Sequence, residues 1–184
     1  MRLLWSVLLL SIVGCTQPIS ISEIPLRDLD GNEYILDPSE RALTVVYFLS
    51  PECPLCLNYT LAFKEIDSEF GSDSLAFFGV HSGKWFSNSE VENYALKYGL
   101  KMKMVLDNEN ALAEKLGATV TPEVFVLTSN SEVLYSGKID NWVNDLGKKK
   151  LQVSEHYLKD ALKEIMANQT VEINRTEPVG CLIE

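Results

Sequence analysis

The chain has 184 residues, 46% hydrophobic and 23% charged, which suits one globular domain with a proper core and excludes intrinsic disorder as the default reading. Its formal net charge of -10 at pH 7 repels phosphate backbones, and its lysine run Lys148-Lys149-Lys150 reads as a solvated surface stretch, so nucleic acid is excluded as an expected partner.

The chain opens on an address. Met1-Arg2 is a short positive region, and Leu3 to Val13 is apolar but too short to span a bilayer, the pattern of a removable export signal. Its end, Ile12-Val13-Gly14-Cys15, resembles the bacterial lipobox. That resemblance implies lipidation of Cys15 and a lipoprotein held at a bacterial membrane, its domain facing the periplasm or exterior. The expected division is a signal peptide over 1–14, a tether over 15–23, a folded domain over 24–167 and a tail over 168–184. With Cys15 assigned to lipid, Cys53, Cys56 and Cys181 remain in a compartment where disulfides persist: one pair and one leftover thiol.

In chain order, the segments Ile24 to Asn32 and Glu33 to Leu36 suggest a hairpin turning at Asp30-Gly31. Ala42 to Leu49 is a near-continuous apolar run suited to the middle of a sheet covered on both faces. It breaks at Ser50-Pro51-Glu52 and delivers Cys53-Pro54-Leu55-Cys56 into a helix carrying Tyr59, Ala62, Phe63, Ile66 and Phe70 at helical spacing, with Gly71 as its C-cap. Leu75 to Val80 reads as a second buried strand, and Ser89 to Glu92 as a capping box opening a helix through Val91, Tyr94, Ala95 and Tyr98 to Gly99. Then come a short strand at Lys103 to Leu106, a short helix from Asn110 to Leu116, and a hairpin of Val124 to Thr128 with Glu132 to Ser136. Lys138 to Val153 carries little pattern beyond Trp142 packing on the body. Ser154 is the expected cap of a last helix with Leu158, Ala161, Leu162 and Ile165 inward, followed by an irregular tail. Together these make an α/β protein, a central mixed sheet flanked by helices, with an N-terminal hairpin extension and a C-terminal tail.

The chemistry sits at Cys53 and Cys56. Thiolate is the reactive form of cysteine, and the unpaired N–H groups of a first helical turn stabilise it there. Pro54 is tolerated because those N–H groups lack partners anyway. The activity depends on a pair one helical turn apart and reachable from solvent, with Cys53 attacking a disulfide and Cys56, the more buried, resolving the mixed disulfide. No cofactor is required.

A buried strand ending in Cys53-Pro54-Leu55-Cys56, and later Thr121-Pro122-Glu123 entering Val124 to Leu127, resembles the thioredoxin-like proteins over Ile24 to Met166. That resemblance implies a thioredoxin fold in which Pro122 is cis and Thr121 pairs with an extended substrate segment. Phe48 to Cys56 is most similar to the redoxin domain proteins, related to membrane-anchored TlpA-like reductases and to peroxiredoxins; Tyr135 to Asn141 and Pro178 to Ile183 resemble segments that follow the core in that group. Implied partners are protein thiols and disulfides or small thiols, with a membrane electron donor. Pro54-Leu55 supplies no positive charge, and Glu52 and Glu123 beside the dithiol would disfavour the thiolate, which favours a reductase or electron carrier.

Two rival activities share the fold. A peroxiredoxin-type peroxidase places proline and serine or threonine ahead of its cysteine and an arginine later; Ser50 fits, but Val46 stands where the proline belongs and no arginine lies between Arg41 and Arg175. A Sco-like copper protein uses two cysteines and a distant histidine, for which His81 and His156 are the candidates, and soft thiolates do select copper(I). The expected metal content is none. Cys181 is either an inert buried thiol or, if the tail folds back, a third thiol exchanging with Cys53 or a third metal ligand. Trp85-Phe86 reads as aromatic filling over the sheet, with a substrate groove as the alternative.

Overall fold

The computed structural model describes residues 20–145 and 147–184, so the export signal, Cys15 and most of the expected tether lie outside the described residues. The apolar run forms β3 (Leu43–Phe48), the strand the sheet is built around; β1 (Pro25–Arg27), β2 (Glu33–Ile35), β4 (Leu75–Ser82), β5 (Lys103–Asp107), β7 (Glu123–Thr128) and β8 (Val133–Gly137) join it, while β6 (Val120–Thr121) stands outside that sheet. In β3 every residue after Leu43 is buried, as a strand covered on both faces requires. Its side chains alternate between two apolar clusters, Val45 and Tyr47 in one and Val46 and Phe48 in the other. β3 runs parallel to β4 and antiparallel to β7, giving one mixed seven-stranded sheet in the order β2-β1-β5-β4-β3-β7-β8. The N-terminal hairpin forms as read and extends that sheet through the Arg27 to Leu106 pair on β5.

Four helices flank it: α1 (Pro54–Phe70), α2 (Asn88–Tyr98), α3 (Ala111–Leu116) and α4 (Tyr157–Met166). The inward residues of α1, α2 and α4 share the cluster of Tyr47, while Leu112 and Ala113 of α3 join that of Phe48 together with Ile21 and Ile24. The fold is therefore α/β and thioredoxin-like. No helix among the described residues is long and apolar enough to cross a membrane.

Four boundaries differ from the sequence reading. The box opening α2 lies two residues earlier, with Ser87 as N-cap reciprocated by Glu90; the Glu90 carboxylate takes the Ser87 N–H at 2.8 Å. α4 is entered at His156, because the Ser154 hydroxyl accepts instead from the buried Asn141 amide at 2.9 Å. The expected tether ends early: Ile21–Glu23 is a 3-10 turn with Ile21 in the core. The tail is not irregular throughout. Cys181–Leu182 is a strand that pairs with β6, and Arg175 bridges to Ser136. The stretch of little pattern contains β9 (Val143–Asp145) and β10 (Lys148–Lys149), with Lys149 over the Trp142 ring, so the closing strand Cys181–Leu182 is β11.

Asp67 marks a pH-sensitive point in this core. It sits on α1 facing the buried Tyr47 hydroxyl, and burial, opposed by that hydroxyl, pushes its carboxyl up to about 7. A carboxyl whose folded value lies above its unfolded one favours folding only while protonated, so stability falls as pH rises from about 4 to about 7 and stays lowered above. Asp67→Asn is expected to raise stability above pH 7 by on the order of 2 kcal/mol and to change little at pH 4, checked by urea unfolding at both pH values.

Candidate functional site

β3 ends in a tight turn that hands the chain to α1. Cys53 N–H donates to Ser50 O at 3.2 Å and Glu52 N–H to Ser50 Oγ at 3.3 Å, so Ser50 holds both sides of the turn. Cys53 becomes the N-cap of α1 with Pro54 in the first turn, while Leu57 N–H reaches back to Cys53 O at 3.1 Å. Cys56 lies one turn in, fully buried, where Ser50 N–H donates to its Sγ at 3.4 Å. The Thr121–Pro122 peptide bond is cis. Thr121 O faces the dithiol and accepts from Cys53 Sγ at 3.0 Å when that sulfur carries its proton. The described cysteines are all free thiols.

The electrostatics correct one premise of the sequence reading. Cys53 is lowered to about 4, first by the Cys56 thiol donating to it, against burial, and then by the Cys181 thiol. Neither Glu52 nor Glu123 is among the groups acting on it. The Glu123 carboxylate turns away to accept from Thr119 N–H at 2.9 Å and Val120 N–H at 3.5 Å, fixing the segment before Thr121, and burial raises its own carboxyl. The stabilisation that Pro54-Leu55 lacks thus comes from the thiols and backbone N–H groups of Cys56 and Cys181 rather than from a charged side chain. Cys56 is raised in turn by burial and by its bond to Cys53. The pair therefore divides into a nucleophile and a protonated reserve.

The fold brings Ser50, Pro51, Glu52, Cys53, Pro54, Cys56, Thr121, Pro122, Glu123 and Cys181 to one end of the sheet, where β3 finishes and β7 begins. The expectation that the pair is open to solvent does not hold. Cys53 is only 2% exposed, because β11 lies across it. What remains open is a groove of about 380 Å³ whose lining includes Cys53, Thr121, Cys181, Trp85 and Phe86. Trp85 is 69% exposed on its rim, so it borders a groove rather than filling space over the sheet. Of the two fates read for Cys181, the structure has the one in which the tail folds back toward Cys53; the strand pairing with Thr121 that holds it there went unread, its only local signal being Gly180 ahead of Cys181.

His81 is enclosed between Phe86 and Tyr94 and pushed down to about 3 by burial, so it stays neutral. Among the described residues no group of three or more His, Cys, Asp or Glu side chains is arranged to hold a metal ion. His156 stands at the start of α4, in a cleft with Tyr59 and Trp142.

Comparison with known proteins places this geometry. The model of the AhpC/TSA family matches residues 20–136. No curated protein matches the sequence. Among solved structures, a hypothetical protein from Sinorhizobium meliloti 1021 superposes with a TM-score of 0.74 at 22% identity, covering 86% of this chain and 88% of that one. An uncharacterized conserved protein from Geobacillus kaustophilus gives 0.76 at 19% identity, covering 88% and 87%. A secreted Mycobacterium tuberculosis disulfide oxidoreductase homologous to E. coli DsbE gives 0.50 at 14% identity, covering 59% and 78%. At such identities the likeness is one of fold.

Proposed function

The chain belongs to the AhpC/TSA family, a thioredoxin-like redoxin group, and from that premise we propose that it is a membrane-tethered, extracytoplasmic thiol-disulfide oxidoreductase. Cys53 attacks one sulfur of a partner disulfide and expels the other as a thiolate. Cys56 then gives up its proton and attacks Cys53 Sγ, so the partner leaves reduced and the protein holds the Cys53–Cys56 disulfide. The observation that carries this reading is the pair itself: a thiol lowered to about 4 at the N-cap of α1, with a buried protonated thiol one turn behind it. Thr121, before the cis Pro122, offers its backbone to an extended partner, and Trp85 borders the approach. A lipid on Cys15 would supply the tether and a membrane donor the electrons. The direction read from the sequence, a reductase or electron carrier, keeps its premise that Pro54-Leu55 supplies no positive charge and loses only the acidic one, because neither Glu52 nor Glu123 acts on Cys53.

The test is trapping. Reduced protein carrying both Cys56→Ala and Cys181→Ser, mixed with an unfolded disulfide-containing protein, is expected to accumulate a covalent adduct on Cys53, visible without reductant and released by dithiothreitol. Adducts absent from the double variant, alongside rapid peroxide consumption by the wild type with a thiol donor, would instead make the protein a peroxidase.

A further inference from the structure

The sulfur that must meet a disulfide is covered by the chain's own C-terminus. β11 pairs antiparallel with β6, Cys181 opposite Thr121 and Leu182 opposite Val120, and Ile183 N–H extends the pairing to Thr119 O at 3.0 Å. Cys53 Sγ reaches the same Thr121 carbonyl at 3.0 Å, so the register that sets Cys181 opposite Thr121 also brings Cys181 beside Cys53 in one groove, where each acts on the other's titration. The approach is closer than a side chain permits: a Cβ on Gly180 would stand 2.2 Å from Thr121 O and 2.7 Å from its carbonyl carbon. Beyond the strand, Asn110 Nδ2 donates to the Glu184 carbonyl at 3.0 Å and pins the end of the chain. The strap is thus an extended cysteine-bearing segment in main-chain register with Thr121, as a bound partner would be.

We propose that this strand is a built-in substrate mimic, and that Cys181 is a third redox thiol that closes a disulfide with Cys53. The proposal rests on the disulfide-exchange reading above. With a small disulfide RSSR, the Cys53 thiolate attacks one sulfur to form Cys53–S–S–R and expels RS⁻, which takes a proton from solvent. Cys181 then loses its proton to solvent and its thiolate attacks Cys53 Sγ. The Cys53–Cys181 bond forms, the bond to R breaks, and the second RS⁻ leaves to be protonated. The protein thiols have given up two electrons and RSSR has gained them.

The same event that creates the target releases the attacker. In the reduced site Cys181 is pushed up to about 12 by burial, by its hydrogen bond to Cys53 and by the charge there. In the mixed disulfide Cys53 carries no charge and accepts no thiol proton, so burial alone remains and Cys181 ionises more readily. Cys56 competes for the same sulfur from a fully buried position, whereas Cys181 is partly exposed and faces the groove. A partner polypeptide then gains Thr121 only by displacing the strap.

The test uses the full chain, reduced, exposed briefly to oxidised glutathione, quenched with acid and alkylated, and mapped as non-reduced peptides. The wild type is expected to yield a Cys53–Cys181 linkage beside Cys53–Cys56. Cys56→Ser is expected to convert to Cys53–Cys181, and adding Cys181→Ser to stop at a Cys53–glutathione adduct. Gly180→Ala is expected to lift the strap and speed labelling of Cys53 by iodoacetamide at pH 8 by about tenfold or more. A Cys56→Ser protein that stays at the glutathione adduct, with no Cys53–Cys181 linkage in the wild type, overturns the proposal while leaving disulfide exchange intact. Unchanged labelling of Gly180→Ala overturns the mimic. Failure of glutathione to reach Cys53 in every variant overturns the exchange reading itself.

Discussion

Exchange by the reduced protein is expected to hold a nearly constant thiolate fraction from pH 8 to about pH 5 and to lose reactivity about tenfold per pH unit once below about 4, where Cys53 takes up its proton. An ordinary cysteine would lose its thiolate near pH 8.5, roughly four units higher. The difference comes from Cys56 and Cys181, whose thiols and backbone N–H groups donate to the Cys53 sulfur and outweigh burial. The sign for stability follows. The folded value lies below the unfolded one, so the contribution to the reduced fold is complete above the unfolded value and is lost as pH falls through the folded value of about 4. Iodoacetamide labelling and thiolate ultraviolet absorbance across pH 3 to 9 measure the same titration by independent means; a midpoint near 8.5 in both would remove the thiolate from the mechanism. Cys53→Ser is expected to lower exchange at least about a thousandfold, because the raised, buried Cys56 supplies neither thiolate nor access in its place.

The parts of this site readable in the sequence were those that local chemistry dictates. A strand of unbroken apolar residues has to lie inside a sheet, and a proline between two cysteines has to fall in a first helical turn, so β3 and Cys53-Pro54-Leu55-Cys56 fixed each other. The α2 cap was legible only to within a turn. Ser87 with Glu90 and Ser89 with Glu92 both satisfy the box, and the choice was made by tertiary structure, where Asn88 Nδ2 donates to Leu29 O at 2.8 Å and ties the helix start to the N-terminal hairpin. Ser154 has a capping side chain, but Asn141, buried and thirteen residues back, claims it. The strap was the least legible. Its pairing with β6 is two residues wide and joins segments far apart in the chain, so neither periodicity nor propensity records it. The charge reading of Cys53 failed on the same ground: Glu52 is adjacent in sequence, yet Cys56, one turn along α1, acts on it most, followed by Cys181, adjacent only in space.

The root of the strap hangs on one glycine. Gly137 ends β8 at φ 125°, and a Cβ there would lie 2.1 Å from Thr176 O and 2.4 Å from Thr176 Oγ1. Around it the tail is sewn to the sheet: Ser136 N–H donates to Asn174 O and Thr176 N–H to Ser136 O, both at 3.0 Å, while Lys138 N–H donates to Thr176 Oγ1 at 2.8 Å. Gly137→Ala therefore meets a backbone conformation hostile to side chains, costing about 1–3 kcal/mol, and displaces a carbonyl whose neighbouring hydrogen bonds contribute about 1 kcal/mol each. The strain can leave through β8 or through the tail. β8 is held along its length by β7 and by the buried Tyr135, whereas the tail depends on these few bonds and on β11, so the tail yields. The expected result is a protein whose strands β3 and β7 keep their hydrogen-exchange protection and whose unfolding midpoint changes little, while the free energy of opening 174–184 falls by about 3 kcal/mol and Cys53 is labelled faster than in the wild type. Uniform loss of protection would assign Gly137 to the sheet instead, and unchanged exchange in the tail would mean that its root is held by contacts other than these. Because the root and Cys181 belong to one short segment, a substitution beside Tyr135 is expected to be felt at Cys53 through the strap alone, and Cys181→Ser in the same background should then add little to the labelling rate.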